Sequence, residues 1–146
     1  MATYLITGAS SDVGTALIRR VYKPGDTIIA QGSGDIEKLR ALAEETNGAV
    51  HPYDVDLTST EAMDAFVAEI REKFDTPTHF VHLPALRMVN TKFKNFDEER
   101  FLLDMNVQVL SALHICKAIL PAMAKAKTGR VLFMPVSYTH LRAHET

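Results

Sequence analysis

The sequence predicts an α/β domain built on a doubly wound parallel sheet. Short apolar runs alternate with amphipathic segments, a pattern typical of buried parallel strands joined by helices. A glycine-containing turn follows the first apolar run and leads directly into a helix. A chain of 146 residues can bury a sizeable core in one domain. Right-handed crossovers then favour the strand order 3-2-1-4-5.

The first half of the chain predicts three strands, each followed by a helix. Strands are expected at residues 4–6, 27–30 and 49–53, although Pro52 interrupts the third. Apolar residues recur at helical spacing over residues 13–21, 36–43 and 63–70. Pro24 with Gly25 ends the first helix, residues 47–48 (Asn-Gly) end the second, and residues 58–61 (Thr-Ser-Thr-Glu) start the third.

The second half predicts two more strands around one long helix. Strand four is expected at residues 78–83 and strand five at 131–134. The helix is expected over residues 97–127, with an irregularity just before Pro121 because proline cannot donate a helix hydrogen bond.

The composition is that of an ordinary globular protein, with 47% hydrophobic and 23% charged residues. A net charge of −2 supplies no electrostatic reason to bind nucleic acid or an anionic membrane. We find no segment apolar enough to span a bilayer and no secretory signal at the N-terminus. The single cysteine, Cys116, lies among apolar residues and fits a reducing compartment. A soluble cytoplasmic protein is therefore expected.

The turn from Thr7 to Gly14 predicts a phosphate-binding site. A helix N-terminus offers unpaired N–H groups and a partial positive charge. Gly8 permits the tight turn, and Gly14 lets the helix pack closely on the strand. An acidic residue after strand three strengthens the interpretation as a dinucleotide site. The alternative is a plain tight turn in another open α/β fold.

The same turn resembles the Thr-Gly-x-x-x-Gly-x-Gly signature of the short-chain dehydrogenases/reductases, with Asp12 in place of the middle glycine. The resemblance implies a Rossmann-type domain over residues 1–135 that lacks the C-terminal strands of the full family fold. Asp12 is expected to point outward and cap the helix, because a carboxylate about 4 Å from a phosphate would cost roughly 1–4 kcal/mol. The residues of the turn that would bind the cofactor NAD(P) are Thr7, Gly8, Ser10, Ser11, Asp12, Val13 and Gly14.

Three further stretches extend the resemblance. Residues 56–58 (Asp-Leu-Thr) are similar to the family's segment after strand three, which implies that Asp56 and Leu57 contact the adenine; Asp54 is the alternative by register. Residues 104–107 resemble the segment that carries the catalytic asparagine, here Asn106. Residues 129–134 resemble the strand that delivers the catalytic serine, here Ser137.

The turn after strand four departs from the family. His82 and Leu83 replace the two asparagines of the usual Asn-Asn-Ala-Gly, and Ala85 replaces its glycine. The backbone of His82, Leu83 and Pro84 is still expected to flank the nicotinamide ribose. A histidine bonded to backbone at the end of the strand is the alternative interpretation of His82.

The choice between NAD and NADP depends on the end of strand two. An acid there would bind the ribose 2′-hydroxyl and an arginine would bind a 2′-phosphate, but residues 31–34 (Gln-Gly-Ser-Gly) offer neither. Ser33 and the glycine N–H groups could hold a phosphate, which slightly favours NADP. Asp35 would favour NAD if its side chain turned into the site.

By resemblance, the reaction is hydride transfer between C4 of nicotinamide and a small carbonyl or secondary alcohol. Asn106 would hold a water of the proton relay, and Ser137 would hold the substrate oxygen. The family's tyrosine and lysine belong about a dozen residues after that serine, and Tyr138 with Arg142 does not replace them. We therefore expect this chain to be inactive. By resemblance, the full-length form is expected to be a homodimer or homotetramer, with residues 97–124 of the long helix at the interface.

Residues 136–146 are similar to a peptide that results when sequencing-adaptor DNA is translated, so we treat them as a non-native tail. Within that tail His140 and His144 have no third ligand nearby, and no metal site is predicted. One alternative to an oxidoreductase is a regulatory dinucleotide-binding protein without catalysis, which the altered turn after strand four favours slightly and Asn106 disfavours. Another is a Rossmann-type methyltransferase, which the spacing from Thr7 to Gly14 followed by Asn106 disfavours.

Overall fold

The computed structural model describes residues 1–86, 92–127 and 129–134. Within them, five parallel strands form one sheet in the order β3-β2-β1-β4-β5, as the sequence predicts. The strands are β1 (Thr3–Thr7), β2 (Thr27–Gly32), β3 (Val50–Asp54), β4 (His79–His82) and β5 (Arg130–Phe133). The order reverses between β1 and β4, which is where ligands bind in open α/β sheets.

Three of the five α-helices begin after a residue whose side chain accepts one of their first N–H groups. Ser11, Ser59 and Asp97 each receive a hydrogen bond from a backbone N–H three residues later, at 3.0–3.1 Å. The helices are α1 (Asp12–Val21), α2 (Glu37–Glu45), α3 (Thr60–Lys73), α4 (Glu98–Met105) and α5 (Ser111–Lys125), with a 3₁₀ turn at Phe93–Asn95.

Two apolar cores lie on opposite faces of the sheet, because successive strand residues point to opposite sides. Leu5 of β1 packs with residues of α3 and α5, including Phe66 and Ile115. Its neighbour Ile6 packs on the other face with residues of α1 and α2, including Ile18. This two-sided burial holds the C-terminal ends of the strands, and hence the glycine turn, in a rigid frame.

The long helix contains an irregularity, but at a different place from the one expected. A π-helical turn, Asn106–Leu110, joins α4 to α5, whereas Pro121 lies inside α5. Pro121 is exposed, so water can satisfy the carbonyl that its missing N–H leaves without a partner. The π turn is instead stabilised from the sheet, by a histidine described below.

The stretch Glu98–Lys125 is long and apolar enough to cross a membrane by length and composition, so the expectation that no segment would be was wrong. Buried core residues account for part of its apolar character, among them Ile115, Ile119 and Met123. The core helix of a soluble protein meets the same criterion, and this finding is weak evidence for a membrane location.

β5 is an edge strand of the sheet in the described residues, and its apolar side chains are exposed. Leu132 is 58% exposed. An edge strand with exposed apolar side chains can pair with a strand of another chain. We therefore expect the purified chain to associate as its concentration rises. Size-exclusion chromatography with light scattering gives the molar mass of the purified chain. Leu132→Lys should lower that mass towards the monomer, whereas Val13→Lys, which adds the same charge on α1, should not. A wild-type chain that remains monomeric at high concentration would contradict this expectation.

Candidate cofactor-binding site

The glycine turn between β1 and α1 lies directly against the backbone of the loop that follows β4. Gly8 has a φ of +67°, and a Cβ placed there would lie 2.5 Å from the Pro84 nitrogen and 2.9 Å from the Leu83 carbonyl carbon. At Gly14 a Cβ would lie 2.5 Å from the Ala9 oxygen, which shows how closely α1 packs on the turn. Both positions therefore require glycine.

The N-terminus of α1 leaves backbone donors available at this turn. The Ser11 hydroxyl accepts from the Gly14 N–H at 3.0 Å and donates to the Gly8 carbonyl at 3.0 Å. Among the described residues, no acceptor is paired with the N–H groups of Asp12 or Val13. Together with the helix dipole, these two donors form an arrangement that attracts an anion.

Asp12 points away from the protein, as expected, but it does not cap the helix. Its side chain is 95% exposed, and its carboxylate pairs with Lys38 Nζ of α2 at 2.9 Å. The hydrogen bond and positive charge of Lys38 lower the pKa of Asp12. Ser11 takes the cap instead, because it precedes the first helical residue and its hydroxyl reaches the Gly14 N–H.

His82, at the end of β4, is buried and joins β1 to the π turn. Its Nδ1 lies 2.7 Å from Thr7 Oγ1, and its Nε2 lies 3.1 Å from the Val107 carbonyl oxygen. Burial lowers the pKa of His82 to about 4, although the bond to Val107 opposes the shift. A neutral ring beside a carbonyl carries its proton on Nε2, so Nδ1 accepts the Thr7 hydroxyl proton. Nε2 is thus bonded to backbone, in the way that the alternative interpretation describes, whereas Nδ1 is bonded to a side chain.

Asp104, which the sequence analysis did not select, anchors the loop after β4. This buried carboxylate accepts from the Leu86 N–H at 2.9 Å and from Gln108 Nε2 at 2.7 Å. A charged residue on the same helix face as Val107 was the signal that could have identified it. The contact ties the loop containing Pro84 to α4.

The structure describes only one of the two predicted catalytic residues. Asn106 begins the π turn, where its carbonyl accepts from the Ser111 N–H, and its side chain is exposed. Ser137 lies outside the described residues, together with Tyr138 and Arg142.

Gln31, a second residue that the sequence analysis missed, connects the glycine turn to the other end of the site. Its buried side chain accepts from the Gly8 N–H at 2.8 Å through Oε1. Its Nε2 donates to the Val55 carbonyl at 2.7 Å and to Ser33 Oγ at 3.3 Å. A single polar side chain near the end of an otherwise apolar strand was the available signal.

The donors expected to hold a phosphate after β2 are already engaged within the chain. The Ser33 hydroxyl donates to the Val55 carbonyl at 2.8 Å, and the Gly34 N–H donates to the Asp54 carboxylate at 2.9 Å. Asp35 accepts from the Glu37 N–H at 3.1 Å, at the start of α2.

The segment after β3 presents one carboxylate and one buried side chain. Asp56 is exposed and accepts from the N–H and hydroxyl of Thr58, at 2.9 and 2.6 Å, which lowers the pKa of Asp56. Leu57 is buried in the core, so it offers the site only its backbone.

Comparisons with known proteins agree with this geometry. The family model described as short chain dehydrogenase matches residues 2–143. The chain is 25% identical over 134 residues to D-beta-hydroxybutyrate dehydrogenase of Rhizobium meliloti, covering 89% of this chain and 52% of that protein. It is 31% identical over 134 residues to the 3-oxoacyl-[acyl-carrier-protein] reductase FabG of Rickettsia bellii, with the same coverage of 89% and 52%.

The fold also matches solved structures. The L-sorbose reductase from Gluconobacter frateurii, complexed with NADPH and L-sorbose, superimposes with a TM-score of 0.76 at 24% identity. The match covers 89% of this chain and 50% of that one. The chain spans about half the length of the curated relatives it matches.

Proposed function

Because the chain belongs to the short chain dehydrogenase family, whose members are oxidoreductases, we propose that the whole protein is an NAD(P)-dependent enzyme. When bound, the dinucleotide supplies or accepts a hydride at C4 of its nicotinamide. The partner in that reaction is a small carbonyl compound or secondary alcohol. The names of the two curated relatives, a hydroxybutyrate dehydrogenase and an oxoacyl reductase, support this substrate class.

The observation that carries the proposal is the glycine turn at the point where the strand order reverses. The N–H groups of Asp12 and Val13 would bind the pyrophosphate, since the α1 N-terminus lacks other acceptors for them in the described residues. A side chain at position 8 or 14 would overlap neighbouring backbone atoms. Gly8 and Gly14 therefore permit the close packing around the turn. The residues present therefore fit a dinucleotide.

The remaining roles follow the same geometry. Asp56 and the Leu57 backbone would contact the adenine, and the backbone of residues 82–84 would flank the nicotinamide ribose. Thr7 and His82 would hold that backbone in place through their mutual bond of 2.7 Å. Asn106 would position a water for proton transfer. In the whole protein, a serine after β5, at the place that Ser137 has in this sequence, would hold the substrate oxygen.

The cofactor is NAD or NADP. NADPH in the L-sorbose reductase complex supports the phosphorylated form. The bonds already made by Ser33 and Gly34 weaken the reason for preferring NADP from sequence.

For the whole protein we propose a cytoplasmic homodimer or homotetramer. An exposed apolar face on α4, the π turn and α5 supports this assembly, because such a face is typical of an interface. Its members include Leu102, Leu110 and Leu113.

The 146-residue chain itself is expected to bind the dinucleotide and to catalyse no turnover. None of its four tyrosines is followed four positions later by a lysine, so the family's proton donor and its lysine are not paired in this sequence. Fluorescence titration with NADH and NADPH should show saturable binding, with S-adenosylmethionine as the negative control. When a set of ketones is then added to the chain with NADH or NADPH, the absorbance of the dihydronicotinamide should not fall, because no cofactor is oxidised. Carbonyl-dependent oxidation would refute the inactivity, and absence of any dinucleotide binding would refute the proposed function.

A regulatory dinucleotide-binding protein is the second candidate, and one observation favours it. His82 replaces an asparagine of the family, and its ring nitrogens are bonded inside the protein, to Thr7 and Val107. A longer form of the protein that binds NAD(P)H but reduces no carbonyl substrate would select this candidate over the enzyme.

A further inference from the structure

We propose that Asp54, a residue of β3, makes this site select NAD over NADP. The inference depends on the proposed function, because it concerns which dinucleotide the site takes. It also reverses the slight preference for NADP that residues 31–34 indicate in the sequence.

The Asp54 carboxylate lies at the C-terminal end of β2, although it belongs to the neighbouring strand. Gly32 and Asp54 are opposite each other in the parallel β2–β3 pair, and each is the last residue of its strand. The Asp54 carboxylate accepts from the Gly34 N–H at 2.9 Å, two residues beyond the end of β2. In dinucleotide sites of this fold, an acid at the end of the second strand binds the ribose 2′-hydroxyl.

Two side chains crowd the position at the end of β2 where an acid would stand. A Cβ at Gly32 would lie 2.7 Å from Ser10 Oγ and 2.9 Å from Ile36 Cγ2. The Ser10 side chain therefore occupies the space that an aspartate at position 32 would need. The neighbouring strand β3 supplies the acid instead, as Asp54. The sequence of β2 alone therefore shows no acid at its end.

The groups that could favour a 2′-phosphate are bonded to other parts of the chain. The Ser33 hydroxyl donates to the Val55 carbonyl, and the Gly34 N–H donates to Asp54 itself. Lys38, the cation on the first turn of α2, pairs with Asp12 at 2.9 Å. A phosphate would compete with these contacts, and it would also meet the negative charges of Asp54 and Asp35. A ribose 2′-hydroxyl needs only an acceptor, which Asp54 provides.

The test compares the affinities for NADH and NADPH in the wild-type chain and in Asp54→Asn. Asparagine keeps an oxygen for the Gly34 N–H, so the loop conformation is retained while the charge is removed. We expect the wild type to bind NADH at least about tenfold more tightly than NADPH. In Asp54→Asn that ratio should fall about tenfold, mainly because NADPH binds more tightly.

Two further variants make the outcome decisive. Asp35→Asn removes a nearby charge whose carboxylate contacts only the Glu37 N–H among the described residues, so it should change the ratio less than Asp54→Asn. Asp54→Ser serves if the asparagine variant unfolds. A wild type that prefers NADPH would overturn the inference and point to Ser10 and Lys38 as phosphate ligands. An unchanged ratio in the Asp54 variants would also overturn it, because the preference would then not depend on Asp54. Binding of neither dinucleotide would overturn the proposed function and this inference with it.

Discussion

Gly8→Ala is expected to lower the free energy of unfolding by about 2–5 kcal/mol and to abolish dinucleotide binding. Two costs combine at this position. A side chain at a φ of +67° is strained, and its Cβ would overlap the backbone of Pro84 at 2.5 Å and of Leu83 at 2.9 Å. Because backbone atoms cannot rotate away, the turn and the loop after β4 must separate. Urea denaturation gives the change in stability, and the NADH titration gives the loss of binding.

Alanine variants of two other glycines measure the backbone strain and the steric overlap separately. Gly48 has a φ of +84° with nothing within 4 Å of its Cβ position, so Gly48→Ala should cost only the strain, about 1–2 kcal/mol. Gly14 lies in α1 without a positive φ, and its Cβ would meet the Ala9 oxygen at 2.5 Å. Gly14→Ala should therefore report the overlap alone, about 1–3 kcal/mol, despite the better helix propensity of alanine. If Gly8→Ala costs no more than Gly48→Ala, the overlap at the turn is not as described.

The stability of the fold is expected to fall by about 3 kcal/mol as the pH drops from 7 to 4, because of His82. Burial lowers the pKa of His82 from 6.5 to about 4 in the folded chain. Between these values the unfolded chain binds a proton that the folded chain does not, so each step down in pH favours unfolding. Below about pH 4 the folded histidine is protonated too, and its contribution stops changing. Urea denaturation at several pH values measures the slope.

A pair of variants assigns that slope to His82. In His82→Asn the amide oxygen can still accept from Thr7, the shorter side chain loses the bond to Val107, and the residue does not titrate, so the pH dependence should become shallower by about 3 kcal/mol. His114→Asn makes the same substitution on α5, where the ring contacts the exposed Asp64, and serves as the matched control. Some slope should persist in every variant, because burial also lowers the pKa of His51. An equally steep slope in His82→Asn would contradict the assignment.

Local patterns in the sequence determined most of the fold. Alternating apolar runs predict the five strands, and helical periodicity predicts their connections, because burial on both faces of a parallel sheet imposes these patterns residue by residue. The strand order then follows from the handedness of the crossovers. The irregularity in the long helix was misplaced, because proline is a local signal whereas the π turn depends on His82, which lies on β4.

What the sequence by itself determined about the site is the turn from Thr7 to Gly14 and the need for glycine at positions 8 and 14. Only the tertiary structure decided which groups near that turn are available. Gln31 reaches Gly8 across 23 positions of the sequence, Asp54 reaches Gly34 across 20, and Asp104 reaches Leu86 across 18. Such pairs depend on the register of neighbouring strands and on where helices dock, and neither is encoded in the spacing within a single segment. The proposed preference for NAD depends on one such pair, because Asp54 lies beside the end of β2 only in the folded sheet.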